Sequence, residues 1–133
     1  MVLISVIVPS YNNFTSLLRA LFSIESQTGN NIFFYEIIII DDASTDSKYH
    51  RYTFDRNIQI IHLDQHVGSL IKLCQIGMKY ATGDYIAFLS DEEVWSMYKM
   101  DDQMYDMIAE DRTVLYGTSI SDLVLKRGYP FPL

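Results

Sequence analysis

The chain has one cysteine, three prolines and six glycines among 133 residues. Cys74 alone can form neither an internal disulfide nor a cysteine-based zinc site, so no oxidising compartment is demanded and a reducing cytoplasm is the expected location. The glycines never fall into G-x-G-x-x-G or G-x-x-x-x-G-K-[ST], so the two common glycine-rich phosphate loops are missing. Basic residues are scarce. Ten Lys and Arg stand against 17 Asp and Glu, a net charge of -7, and that repulsion excludes a general affinity for nucleic acid or anionic lipid. No apolar run reaches the roughly 20 residues of a membrane span. The stretch from Met1 to Pro9 lacks a basic n-region and a small-residue cleavage site, and Ile32 to Ile40 is broken by Glu36. His50, His62 and His66 are too scattered along the chain for a local metal motif.

What remains is a chain that is 49% hydrophobic, enough for one packed core and too short for two domains. Leu3 to Val8 is a β-branched run suited to a strand buried on both faces, stopped by Pro9 before the polar Ser10 to Asn13. Leu17, Leu18, Leu21, Phe22 and Ile24 predict an amphipathic helix capped by Asn12 or Asn13 and ended by Gly29. Glu36 to Ile40 predicts a second buried strand, after which Ser44 can cap a short helix with Asp46 in its first turn. Ile58, Ile60, Ile61 and Leu63 predict a third strand, and Leu70, Ile71, Leu73, Ile76 and Tyr80 a helix between Gly68 and Gly83. Tyr85 to Leu89 predicts a fourth strand. Met97, Met100, Met104, Met107 and Ile108 predict another helix, and Val114 to Tyr116 a last short strand. Strands alternating with helices imply an α/β domain with a mostly parallel sheet, whose ligand crevice lies at the carboxyl ends of the strands.

Residues after those strands are polar. Asp91, Glu92 and Glu93 follow the fourth strand, where one or two carboxylates together with substrate phosphates would hold Mg²⁺ or Mn²⁺; an acidic helix start is the competing reading. A divalent ion would let an acidic protein bind a nucleotide diphosphate and would stabilise a departing diphosphate. Asp41 and Asp42 serve as helix caps, as acceptors for a base or ribose, or, least well supported, as a phosphoacceptor pair. Tyr11 could stack on a nucleobase or stand as an ordinary loop tyrosine. The methionine stripe reads as core, and Cys74 as buried and inert.

Together these segments resemble the family 2 glycosyltransferases of the GT-A fold. Ser5-Val6-Ile7-Val8-Pro9-Ser10-Tyr11-Asn12-Asn13 is similar to the family's opening S-V-I-V-P-x-Y-N, and Gln27-Thr28 to its Q-T. Glu36 to Asp46 is similar to E-I-I-V-V-D-D-x-S-x-D, Gly77 with Ala81 to Ile86 to G-x-x-x-A-x-G-D-Y-I, and Phe88 to Trp95, with Lys99-Met100 beyond, to F-L-D-S-D-D-x-W and K-L. The resemblance covers Leu3 to about Met104. It implies binding of a nucleotide-diphosphate sugar, most readily a UDP-sugar. Pro9, Tyr11 and Asn12 would sit at the base pocket, Asp42 would accept from the base with Asp41 nearby, and Asp91 would lie near ribose or pyrophosphate. Asp91 and Glu92 would ligate Mn²⁺ or Mg²⁺.

This chain departs from the family pattern at several places. Ser90 replaces the first Asp of D-x-D, Glu92 is one methylene longer than Asp, His66-Val67-Gly68 replaces N-x-G, and Cys74-Gln75 replaces Arg-Asn; Lys72 is the available substitute cation. The family's acceptor-binding half, with its carboxylate base, has no counterpart in residues 1–133, and among Asp101, Asp102, Asp106, Glu110, Asp111 and Asp122 none is assigned as base. The expectation is a single GT-A-like domain, residues 1–133, transferring sugar to a saccharide, lipid or protein acceptor. The alternative is a non-catalytic nucleotide-sugar-binding module that works with a partner chain. An uncovered apolar sheet edge would favour self-association. The tail from Gly128 to Leu133, with Pro130 and Pro132, reads as an extended arm.

Overall fold

The computed structural model describes residues 1–27, 32–117 and 119–131. Four parallel strands form the centre: β1 (Val2–Ser10), β2 (Phe33–Asp41), β3 (Ile58–His62) and β4 (Tyr85–Phe88). Two short strands, β5 (Val114–Leu115) and β6 (Val124–Lys126), extend the sheet antiparallel, giving the order β3-β2-β1-β4-β6-β5. Helices α1 (Phe14–Glu25), α2 (Lys48–Arg51), α3 (Leu70–Met78) and α4 (Lys99–Ala109) complete it.

The strand period of two divides the isoleucine and valine runs between two cores. Ile4, Val6 and Val8 of β1 and Ile37 and Ile39 of β2 face a layer built from Leu17, Leu21 and Ile24 of α1 and Met100, Met104 and Met107 of α4. Ile7, Ile38 and Ile40 face the opposite layer, with Leu73 and Cys74 of α3 and Phe88 of β4. Burying each such aliphatic side chain contributes about 1.5–3 kcal/mol, which is why the central strands tolerate almost no polar residue. Within the runs from Ile4 to Val8 and from Ile37 to Ile40, Ser5 is the exception. Its hydroxyl donates to Glu36 and accepts from the Gly83 N–H at 2.8 Å. Glu36 also accepts from the N–H and Oγ1 of Thr82, at 2.7 and 2.8 Å. Burial tends to raise the Glu36 carboxyl, but these donors together outweigh it and hold the group below its usual range.

Gly77 lets α3 lie on β1: a Cβ there would stand 2.4 Å from Ile7 Cγ2, inside contact distance. Gln27, at the end of α1, donates to the Ser96 and Ser23 carbonyls and accepts from Met100 N–H at 3.0 Å. It thereby fixes the segment that leads from β4 into α4.

Several expectations require correction. Asn13 occupies the N-cap position of α1, yet its side chain makes no capping bond. Ser44 does not cap α2, which starts after Ser47; Asp46 Oδ1 accepts from Lys48 N–H instead. In α3 the buried stripe is Leu73, Cys74 and Gly77, while Leu70, Ile71 and Tyr80 are exposed because only one side of this nine-residue helix meets the sheet. Met97 precedes α4 and is exposed, as is Ile108. Strand β6 carries no long apolar run and was not predicted; its pairing with β4 makes it a strand. Gly128 adopts a left-handed turn (φ 94°), and the tail folds back so that Phe131 packs edge-on against Phe88 at 5.5 Å. Thr28, Gly29, Pro132 and Leu133 lie outside the described residues. No helix among the described residues is long and apolar enough to cross a membrane.

Candidate donor site

The carboxyl ends of β1, β2 and β4 meet in one crevice. Ser10, the last residue of β1, links the parts: its backbone carbonyl accepts from Asp42 N–H at 2.9 Å, and its hydroxyl donates to Asp91 Oδ2 at 2.8 Å. Because that single proton goes to Asp91, Tyr49 Oη, 2.6 Å away, is the donor to Ser10 Oγ. The Tyr49 oxygen also accepts from Asn13 N–H at 2.9 Å. Burial pushes the Tyr49 phenol up, consistent with a permanently protonated donor. Sequence reasoning did not single out Tyr49; it lies on a four-residue helix with no apolar period to mark it.

Asp91 is 8% exposed and accepts from Tyr11 N–H at 3.1 Å through the same oxygen that receives Ser10. Among the described residues no Lys, Arg or His pairs with it. Burial raises its carboxyl above the usual range, the Ser10 and Tyr11 donors oppose this, and the neighbouring Glu92 charge adds to the rise. Glu92 itself is exposed, with its N–H directed to Ser90 Oγ at 3.3 Å. Glu93 turns aside and accepts from Ser121 Oγ at 2.9 Å, so the three acids do not act as one cluster.

Across the crevice, Asp41 and Asp42 are each 1% exposed. Neither caps α2. Asp42 receives Val67 N–H at 2.6 Å and Gly68 N–H at 2.9 Å, and His66 Nδ1 stands 2.9 Å from its carboxylate. Gly68 makes this turn with φ 72°, where a Cβ would be strained. Asp41 accepts from Ser44 N–H at 3.0 Å and pairs with His62 Nδ1 at 2.7 Å. The Asn12 carboxamide oxygen accepts from Thr45 and Asp46 N–H, tying the β1 end to the β2 end. Asn12 (φ 44°) and Ala43 (φ 60°) both hold left-handed backbone at this rim, which asparagine adopts readily and alanine only at a steric cost. Tyr11, 43% exposed, tilts against His66 with ring centroids 4.1 Å apart. Pro9 is buried in the sheet opposite Ile40. Lys72 is exposed on the first turn of α3. Cys74 is fully buried and its thiol is pushed up to about 12 by that burial, which makes it inert.

The histidines depart from expectation: sequence separation hid that His50 and His62 stack on each other at 4.1 Å beside Asp41.

A sheet with a parallel centre and antiparallel pairing at one edge, helices on both faces, and carboxylates at the β2 and β4 ends is the GT-A arrangement. The fold matches that of Staphylococcus aureus TarS 1-349 in complex with UDP-GlcNAc, with a TM-score of 0.72, 22% identity, and coverage of 98% of this chain and 37% of that one. It also matches the mannosyltransferase PcManGT from Pyrobaculum calidifontis in complex with GDP-Man and Mn²⁺, with a TM-score of 0.74, 14% identity, and coverage of 93% and 44%. The residue pattern described as Glycosyl transferase family 2 matches residues 5–129, and the chain belongs to that family. Among its relatives is the Escherichia coli UDP-Glc:alpha-D-GlcNAc-diphosphoundecaprenol beta-1,3-glucosyltransferase WfgD, 28% identical over 117 residues, which are 86% of this chain and 45% of WfgD. The chain spans about half the length of the curated relatives it matches.

Proposed function

We propose that residues 1–133 form the donor-binding unit of a glycosyltransferase that takes a nucleotide-diphosphate sugar, in first place a UDP-sugar, with Mn²⁺ or Mg²⁺. The observation that carries this is Asp91: a carboxylate buried at a strand end, held by Ser10 and Tyr11, and lacking a cationic partner among the described residues. Burying such a charge is costly unless something positive joins it. Glu92 beside it completes a hard oxygen donor set that suits Mn²⁺ or Mg²⁺ and not a soft ion. When bound, the metal would neutralise the diphosphate and stabilise it as it leaves.

The chain's own groups do the rest. Tyr11 offers an aromatic face to the nucleobase, with His66 against its other side. The Asp42 carboxylate, already braced by two backbone donors, is fixed in place to accept from the base. Ser10 and Tyr49 keep Asp91 aimed into the crevice. Transfer joins an acceptor oxygen to the anomeric carbon as the bond from that carbon to the diphosphate breaks, with inversion. The acceptor is a saccharide, lipid or protein hydroxyl, and no residue is assigned as the base. Phe22, Val94 and Met97 expose apolar side chains around Trp95 in an open hollow of about 600 Å³, the face that self-association or a further segment would cover.

The test is calorimetric titration of the chain with UDP, GDP, CDP and dTDP, each with and without Mn²⁺. UDP binding that requires the metal, and that is lost in Glu92→Ala without loss of fold, is expected. UDP affinity unchanged by Mn²⁺ or by Glu92→Ala would overturn the metal assignment, and no binding of any nucleotide would overturn the donor site.

A further inference from the structure

We infer that Asp41, His50 and His62 form a second cation site, distinct from Asp91–Glu92 and selective for a borderline transition ion, with Zn²⁺ the first choice. The three residues come from separate elements: Asp41 ends β2, His62 ends β3 and His50 lies on α2. Each offers one ligand atom, and these atoms lie within 4.8 Å of one another. Around one tetrahedral ion with bonds of about 2.0–2.2 Å, ligand atoms stand about 3.3 Å apart. Asp41 Oδ2 and His62 Nδ1, 2.7 Å apart, share a hydrogen bond whose proton is released to solvent as the ion enters and the pair opens to that spacing, and His50 has to close the remainder. It is free to do so. His50 is exposed on a helix of only four residues, and its ring is stacked on His62 at 18°, so a turn of its side chain opens the stack and brings a nitrogen to the ion.

A satisfied His62–Asp41 pair would account for two of these residues. It leaves unexplained why a second imidazole is packed directly on the first, beside a carboxylate that is 1% exposed. Asp41 is also pre-positioned: its other oxygen accepts from Ser44 N–H, and its backbone carbonyl accepts from Ala43 and Leu63 N–H. Two imidazole nitrogens and one carboxylate oxygen form a set that favours Zn²⁺, Ni²⁺ or Cu²⁺ over Mg²⁺ and Mn²⁺, and it leaves a fourth position for water. An ion held there would clamp α2 and the ends of β2 and β3, the elements that carry Asp42 and the Ser44–Asp46 turn along one wall of the crevice. The inference does not depend on the donor reading.

The experiment uses the untagged, metal-stripped full chain. ZnCl₂ is titrated calorimetrically, and Co²⁺ is followed by its visible absorption, which reports tetrahedral coordination with nitrogen ligands. Expected are one equivalent of Zn²⁺, a rise of several degrees in the thermal midpoint, and no displacement by millimolar Mn²⁺. His50→Ala and His62→Ala should each weaken Zn²⁺ by about tenfold or more, while His66→Ala leaves it unchanged. Should His62→Ala unfold by leaving Asp41 unpaired, His50→Ala on an exposed position carries the test. Absence of saturable Zn²⁺ binding, equal affinity in His50→Ala, or competition by Mn²⁺ would overturn the site; the last would place the ion at Asp91–Glu92. UDP binding with Mn²⁺ in His50→Ala separates failure of this site from failure of the donor reading.

Discussion

Replacing Asp91 by Asn separates stability from donor binding. Ser10 Oγ and Tyr11 N–H both reach one oxygen of Asp91, so the amide oxygen of Asn keeps these two, and only the smaller contribution of the Asn13 side chain changes. What the substitution removes is a charge that is 8% exposed and has no cationic partner among the described residues. Relief of that desolvation, set against slightly weaker hydrogen bonds to a neutral acceptor, stabilises the metal-free fold by about 1–2 kcal/mol. For a chain of this size that corresponds to about 3–8 °C in the thermal midpoint.

The pH dependence follows from the raised carboxyl. The folded protein takes up a proton on Asp91 before the unfolded chain does, so the penalty is fully present above the folded value. It fades as pH falls through that value toward 3.8. Scanning calorimetry of both proteins from pH 8 downward should show Asp91→Asn ahead at neutral pH and the gap closing with acid. On the proposed metal role its affinity for UDP with Mn²⁺ should fall by about tenfold or more, since a charged contact to the ion would be lost. A variant less stable than wild type at pH 8, or a gap that does not change with pH, would refute the reading of Asp91 as an uncompensated charge.

Tyr11→Ala should weaken UDP binding by about 1–3 kcal/mol if the base stacks on the exposed ring, measured by the same titration; an unchanged affinity removes Tyr11 from the site. Burial pushes the Lys99 ammonium down to about 8, with Asp122 opposing, while its charge also lies 4.8 Å from the Trp95 ring. Between about 8 and 10.5 the unfolded chain holds the proton and the fold does not, so stability rises with pH across that window. Lys99→Met should therefore stabilise the fold at pH 7, by at most about 3 kcal/mol, with the advantage gone above pH 10.5; an advantage that persists there would refute the assignment. Gly77→Ala should destabilise by about 1–3 kcal/mol in urea unfolding, because its methyl group would meet Ile7.

Much of the fold was legible in the sequence. The runs from Ile4 to Val8 and from Ile37 to Ile40 are apolar at every position except Ser5, and a strand with cores on both sides is the structure that buries both sets of side chains. The methionine spacing at 100, 104 and 107 marks the buried side of α4 because 3.6 residues per turn place those positions together. The pairs Asp41–Asp42 and Asp91–Glu92 were legible as strand-end residues because each stands at or within a few residues of the end of an apolar strand run. Strand β6 was not, since three residues carry too little periodicity and become a strand only by pairing with β4.

The sequence by itself determined the layer order, the parallel centre of the sheet and the family, because local period and motif order hold them. Tertiary structure alone decided what each polar residue does. Tyr49 meets Ser10 across 39 positions, Ser10 meets Asp91 across 81, and His50 meets His62 beside Asp41, because side chains far apart in the chain become neighbours once parallel strands bring their carboxyl ends into one crevice.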